Sequence, residues 1–266
     1  MVSGWIIKAL ALFAIAALSL VALAACSSDP TPTPKPKAKA PVEAAVPTPT
    51  PGPQYGGTLS YWIRSNPPGW DPWGRTRFWD PTRKIAELVF NPLYSPAPQL
   101  GDSCAIELEP EIAESWSFVS PTVLEFKLRD VSWHNKPPLN GSTLTASDVV
   151  YTFNERFAKG LAGGGYVGKI FFDKAVAKDE KTVHIHLKKP FDFVTGMPSG
   201  NRQGWIVAPE ADLANYDKEK PEESWVGTGP FMFVEHESGT KVTFERNPDY
   251  FKEGLPYADK VVAHVI

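Results

Sequence analysis

Residues 1–53 hold two segments that cannot join a globular core, so any fold has to be built from residue 54 onward. Residues 9–25 are uncharged and almost wholly apolar, with Lys8 just before them. Seventeen such residues sit at the short edge of a membrane span and also suit the apolar core of an export signal. The stretch from Pro30 to Pro53 then holds nine of the chain's 27 prolines, in runs such as Thr31-Pro32-Thr33-Pro34 and Pro47-Thr48-Pro49-Thr50-Pro51. Large apolar side chains are nearly missing there, so burial cannot offset the entropy of ordering. Repeated Thr-Pro favours polyproline II, which extends about 3.1 Å per residue and makes this stretch a spacer on the order of 80 Å long.

Between the two segments stands Leu23-Ala24-Ala25-Cys26-Ser27-Ser28. This resembles a bacterial lipobox, in which small residues fit the signal peptidase and the cysteine thiol receives a diacylglyceryl group. Cleavage would make Cys26 the acylated N-terminus, and each buried CH₂ of its chains adds about 0.8 kcal/mol of membrane affinity. The alternative is an uncleaved transmembrane helix with an incidental cysteine. The expected place is the cell envelope, on the periplasmic or extracellular face, anchored by the lipid. The domain plan is then a signal at 1–25, a lipidated tether at 26–53 and a folded body at 54–266.

Composition narrows the classes further. With 27 basic and 30 acidic side chains the formal charge is −3, and loss of Lys8 makes it −4. No basic surplus exists to draw in a nucleic acid. Two cysteines, Cys26 and Cys104, exclude a disulfide scaffold and a cysteine zinc site. Once Cys26 is acylated, Cys104 stands alone. Nine tryptophans are a large number and point to aromatic-lined surfaces or a tryptophan-rich core.

The body mixes strand and helix patterns. Residues 57–62 alternate Leu59 and Tyr61 against Thr58 and Ser60, and residues 123–129 set Leu124, Phe126 and Leu128 opposite Val123, Glu125, Lys127 and Arg129. Ile85, Leu88 and Val89 have helical spacing, closed by Asn91-Pro92. Thr145 followed by Asp148 reads as a capping box, opening a helix with Val149, Val150, Phe153 and Phe157 on one face. Val183, Ile185 and Leu187 share one side of a strand, residues 232–235 and 242–246 form a hairpin around Ser238-Gly239, and another strand begins at Lys260. No repeat of 20 to 50 residues occurs. The class is α/β or α+β with mixed sheets, and a bare apolar strand at Val261–Ile266 is expected either to lie inside a sheet or to mark a fragment.

Catalytic signatures are missing. No Gly-x-Ser-x-Gly or His-Glu-x-x-His occurs, and the glycine runs at Gly163 and Gly227 lack the Lys-Ser/Thr of a phosphate loop. Glu109, Glu111 and Glu114 have no telling spacing. His184 and His186 share a strand face but have no third ligand nearby, so a solvated face is favoured over a metal.

Several segments read together carry a resemblance. They are Gly56-Gly57-Thr58-Leu59, Trp70-Asp71-Pro72, residues 89–94 (Val-Phe-Asn-Pro-Leu-Tyr) and residues 108–116 (Leu-Glu-Pro-Glu-Ile-Ala-Glu-Ser-Trp). Glu125-Phe126-Lys127-Leu128-Arg129 and Trp133-His134 come next, then residues 144–151, Gly227-Thr228-Gly229-Pro230-Phe231 and residues 245–251. In this order they resemble the extracellular solute-binding proteins of ABC importers, in the branch of oligopeptide, dipeptide and nickel receptors.

The resemblance implies a periplasmic-binding-protein-like α/β fold of type II with an extra subdomain. Members run to roughly twice the body length, so only the first lobe (54–81 and 191–266) and the subdomain (82–190) are expected, with the second lobe absent. It implies no catalysis and no cofactor. Expected partners are a peptide or other small solute (a nickel complex and an oligosaccharide are not distinguished), the ABC permease subunits and the membrane, for a monomer. By resemblance the ligand wall comprises Arg64, Ser65, Asn66, Pro67, Trp70, Tyr166, Trp205, Gly227, Thr228 and Gly229, each as apt for a structural role. Trp70 replaces the family's usual leucine, while Trp62, Trp116 and Trp133 are expected in the core. Half of a two-lobed receptor should expose apolar surface and bind ligand weakly or not at all. A secreted oligosaccharide hydrolase and a non-transporting surface sensor or adhesin are the competing readings.

Overall fold

The computed structural model describes residues 52–73, 81–97, 107–158, 164–192, 204–211 and 221–266. Cys26, the tether and Cys104 lie outside the described residues, and of Tyr166 only the backbone is described. No described helix is long and apolar enough to cross a membrane.

Three sheets organise the body among the described residues. The first holds β1 (Thr58–Ile63), β8 (Phe231–Glu237), β9 (Lys241–Arg246) and β10 (Lys260–Val265) in the order β1-β10-β9-β8. The second pairs β2 (Tyr94–Pro96) with β3 (Leu108–Pro110). The third is β4-β5-β7-β6, from β4 (Ala113–Ser120), β5 (Val123–Leu128), β6 (Phe172–Asp179) and β7 (Thr182–Leu187). The chain thus leaves its first sheet after β1 and returns to it at β8.

The third sheet keeps its pattern residue by residue. Leu124, Phe126, Val183 and Ile185 are fully buried. Against them pack α2 (Ala146–Tyr151) and the wider π-helical turn that continues it (Thr152–Phe157), closed by Ala158 N–H donating to Phe153 O at 2.8 Å. Val149, Phe153 and Phe157 are the buried face. The Asp148 carboxylate accepts from the Thr145 backbone N–H at 2.8 Å and from its hydroxyl at 3.2 Å, which fixes the first turn. On the opposite sheet face His184 Nε2 pairs with Glu125 Oε2 at 2.8 Å and holds that carboxyl below its usual range. Among the described residues no group of three or more His, Cys, Asp or Glu is gathered to hold a metal.

Asn154 ties the π-helical turn to β6 with both ends of its amide, donating to Ala175 O at 3.1 Å and accepting from Ala175 N–H at 2.9 Å. Replacing it with leucine leaves two partly buried backbone groups unpaired. Asn154→Leu is therefore expected to lower unfolding free energy by about 2 kcal/mol, read from the urea midpoint.

Beneath the first sheet, α1 (Pro81–Val89) buries Ile85, Ala86 and Val89. A cluster of rings fills the remainder: Trp70 lies 5.1 Å from Trp225 and 5.6 Å from Phe233, and Phe233 lies 5.9 Å from Phe244. Edge-to-face geometry at such distances adds to area burial. One expectation fails here. Trp133 is 2% exposed, as a core residue should be, but Trp62 is 65% exposed. Alternation along β1 turns Ile63 inward and Trp62 outward, and β1 is the edge of its sheet among the described residues. Trp116 is half-buried, tilted 38° to Tyr94. The strand from Lys260 pairs on both sides, parallel to β1 and antiparallel to β9.

Candidate functional site

Three segments meet at the carboxyl ends of the parallel pair. β1 runs out into Arg64-Ser65-Asn66-Pro67, and β10 ends beside it, with Ile266 N–H donating to Ile63 O at 3.1 Å and Val265 N–H to Thr240 O at 2.8 Å. The β8–β9 turn joins them through Asn66. Its Oδ1 accepts from Gly239 N–H at 2.8 Å and from His236 Nε2 at 3.2 Å, while its Nδ2 donates to Ser238 Oγ at 2.7 Å. Gly239 has φ +75°, a left-handed turn conformation that glycine adopts without strain. Arg64 and Ser65 are exposed, and Pro67 is buried. Loops beyond the carboxyl ends of parallel strands are where open sheets meet ligands.

Trp70 lies under this rim, 4% exposed. The His236 ring meets it at 4.9 Å, and burial lowers the pKa of that histidine. Trp70 O accepts from Trp225 Nε1 at 2.6 Å, which fastens the rim to the ring cluster.

The Gly227-Thr228-Gly229 turn stands elsewhere, against the end of α1. Gly229 N–H donates to Val89 O at 2.8 Å, and a Cβ on Gly227 would lie 1.9 Å from that same oxygen. His134 closes the turn from the other side. Gly227 N–H donates to His134 Nδ1 at 3.3 Å, Nε2 lies 2.9 Å from Gly229 O, and His134 N–H donates to Gly227 O at 2.8 Å. Because Nδ1 accepts, the Nε2 proton is the one given to Gly229, which fixes a neutral tautomer. Burial pushes the His134 pKa down to about 4. Asn247 Nδ2 also donates to Gly229 O at 3.0 Å, and Thr228 Oγ1 donates to Asn91 Oδ1 at 3.2 Å. The backbone amides of both glycines and both of their carbonyls are therefore engaged inside the protein.

Beside the turn lies a cavity of about 450 Å³. Phe90, Trp205 and Tyr250 supply aromatic wall, and Asn91, Glu87 and Glu111 supply polar groups. Glu111 is 6% exposed and held from three sides: Lys252 Nζ at 2.6 Å, Ser95 Oγ at 2.9 Å and Asn91 Nδ2 at 3.2 Å. Burial raises the Tyr250 hydroxyl to about 12. Trp205, 1% exposed, is placed here by Ile206 N–H donating to Asn91 O at 3.0 Å, and Trp73 Nε1 donates to Trp205 O at 2.9 Å.

Nine of the ten residues expected in the ligand wall thus separate, and the Tyr166 side chain lies outside the described ones. Arg64, Ser65, Asn66 and Pro67 form the rim with Trp70 beneath it, while Trp205 and the Gly227–Gly229 turn line or border the cavity. His134, His236 and Glu111 escaped sequence reasoning as organising residues. Only the Trp133-His134 and Glu111 segments stood in the recognised pattern, with no signal for their partners.

Comparison with known proteins agrees with this architecture. The family described as bacterial extracellular solute-binding proteins, family 5 (middle) matches residues 107–266. The oligopeptide-binding protein AppA of Bacillus subtilis is 30% identical over 134 residues, which are 48% of this chain and 24% of that protein. Di/tripeptide-binding protein 2 of Pseudomonas aeruginosa is 28% identical over 204 residues, 69% of this chain and 38% of that protein. The chain therefore spans well under half the length of these curated relatives. The structure of B. subtilis AppA in complex with a nonapeptide superposes with a TM-score of 0.64 at 25% identity, over 80% of this chain and 41% of that one. Helicobacter pylori DppA in complex with the peptide STSA gives 0.63 at 23% identity, over 80% and 43%, a likeness of fold. With the periplasmic-binding-protein-like fold and a family match across more than half its residues, the chain belongs to the bacterial extracellular solute-binding proteins of family 5.

Proposed function

We propose that this chain is part of a lipid-anchored receptor that captures peptides or similar small solutes outside the cytoplasm and delivers them to an ABC permease. The observation that carries this reading is the family match over residues 107–266, together with relatives named as peptide-binding. The lipid anchor rests on the Cys26 sequence pattern alone. Metabolic labelling with radioactive palmitate tests it: the chain takes up label, and Cys26→Ser loses it. Label that persists in the variant refutes acylation at this cysteine.

The rim at Arg64–Pro67 is proposed as one ligand wall, with Asn66 holding the loop against the β8–β9 turn. Ligand touching a second wall would favour a closed form by its differential affinity. Asn66→Ala removes three hydrogen bonds at the rim and is expected to weaken peptide capture at least about tenfold. Affinity selection from a random tetrapeptide library, read by mass spectrometry on wild type and variant, measures it. Equal enrichment by both proteins removes Asn66 from the site.

A further inference from the structure

Among the described residues the two four-stranded sheets end in β1, β8, β4 and β6, and all but β1 are guarded. β4 breaks register with β5 between Ala113 and Ser115 and again between Phe118 and Ser120. β6 breaks register with β7 between Phe172 and Lys174 and between Ala177 and Asp179. β8 breaks register with β9 between Phe233 and Glu235 and adds the charges of Glu235 and Glu237. Irregular or charged edges of this kind turn away a further strand. β1 has neither device: Thr58–Ile63 keeps an unbroken register with β10 and holds no charge and no proline. Trp62 is 65% and Leu59 55% exposed, and Thr58 and Ser60 are exposed beside them.

The backbone fixes how a strand would add here. Gly57 O accepts from Lys260 N–H at 3.2 Å, and Ile63 O from Ile266 N–H at 3.1 Å. The odd-numbered residues of β1 therefore turn their backbone groups to β10, while Thr58, Ser60 and Trp62 turn theirs to the open edge. An antiparallel copy of the same strand engages all three at a single register, with Ser60 opposite Ser60 and Thr58 opposite Trp62. Leu59 then lies opposite Tyr61 on the inward face. Just past the pairing, Arg64 comes opposite Gly56, whose absent Cβ would stand 3.3 Å from Asp259 Oδ2. The Asp259 side chain is 62% exposed, so each copy brings a cation to the other's carboxylate.

We infer that the open edge of β1 is a self-association surface, at which two copies of this chain pair antiparallel about Ser60 and join their first sheets into one. This association needs no ligand and holds whether or not the rim captures peptide.

Sedimentation equilibrium of the purified chain tests it. A dimer with a dissociation constant on the order of 100 μM is expected, as suits an interface at the small end of the known range. Ser60→Lys sets two like charges face to face and should weaken the dimer at least about fivefold, and Ser60→Asp should do the same. An equimolar mixture of the two variants should pair again, because this register alone puts position 60 against itself. Circular dichroism checks that both remain folded. Cross-linking supplies an independent readout in a Cys26→Ser, Cys104→Ser background. Ser60→Cys should form a disulfide dimer on mild oxidation, since opposed residues stand about 5.5 Å apart, and Thr58→Cys should not. A chain that stays monomeric up to about 1 mM would overturn the inference and leave the edge to a different partner. Folded variants that dimerise like wild type would overturn it too, and would place association elsewhere, residues 1–53 included. So would a mixture that fails to pair, or equal cross-linking at positions 58 and 60.

Discussion

Unfolding free energy should fall by about 3 kcal/mol between pH 6.5 and pH 4 through His134 alone. The unfolded chain takes up a proton on this imidazole near pH 6.5, whereas the folded chain resists it down to about 4. Between those values the unfolded state holds more protons, so stability is complete above 6.5 and drains away as the pH drops through the window. The physical reason is that a proton on Nδ1 would meet the Gly227 N–H, which already points at that nitrogen, at a buried position where bulk solvent cannot stabilise the charge. Urea midpoints at pH 7, 5 and 4 measure the effect in wild type and in His134→Gln. The variant should be weaker at pH 7, because glutamine cannot meet Gly227 and Gly229 together, and should lack the larger part of the acid decline. Parallel profiles for the two proteins would assign the pH dependence to other groups.

Gly227→Ala is expected to abolish folding, at a cost above about 4 kcal/mol, which is most of the stability of an ordinary domain. Its Cβ would lie 1.9 Å from Val89 O and 2.7 Å from Val89 C, and both are backbone atoms at the end of α1. No rotamer change relieves that. Gly229→Ala faces the same wall, 2.5 Å from Leu88 O and from Val89 C, and should fall in the same class. Gly239→Ala is the contrast. Nothing lies within 4 Å of its Cβ, and only its φ of +75° opposes the change, so about 1 kcal/mol is expected. Soluble yield and circular dichroism separate the two classes. A folded Gly227→Ala protein would show that α1 can withdraw from the turn.

Local patterns carried much of the fold. Alternation in β5 and β7, the spacing of Ile85 and Val89, and the Ser238-Gly239 turn are each set by neighbours within a few residues, and the structure keeps them as read. Sidedness at an edge is different in kind. Trp62 and Trp133 look alike in sequence, yet one is exposed and the other buried, because their surroundings depend on which strand pairs with which. His134 was invisible for the same reason: its partners are 93 and 95 positions away. The rim could be placed only by resemblance, since nothing in Arg64-Ser65-Asn66-Pro67 announces that the β8–β9 turn will close on Asn66.

The pairing of β1 with β10 carries a consequence for synthesis. Leu59 lies opposite Val261, and Gly57 N–H bonds to Asp259, 202 positions onward. Among the described residues β1 has no other partner in its sheet. A chain emerging from the ribosome can complete β4 through β7, whose contacts are close in sequence, long before Lys260–Val265 has been made. The first strand has to wait, and contacts of such separation form slowly even once both ends exist. This sheet is thus assembled last although it begins first. A nascent chain halted before residue 260 would carry a finished middle and an open beginning.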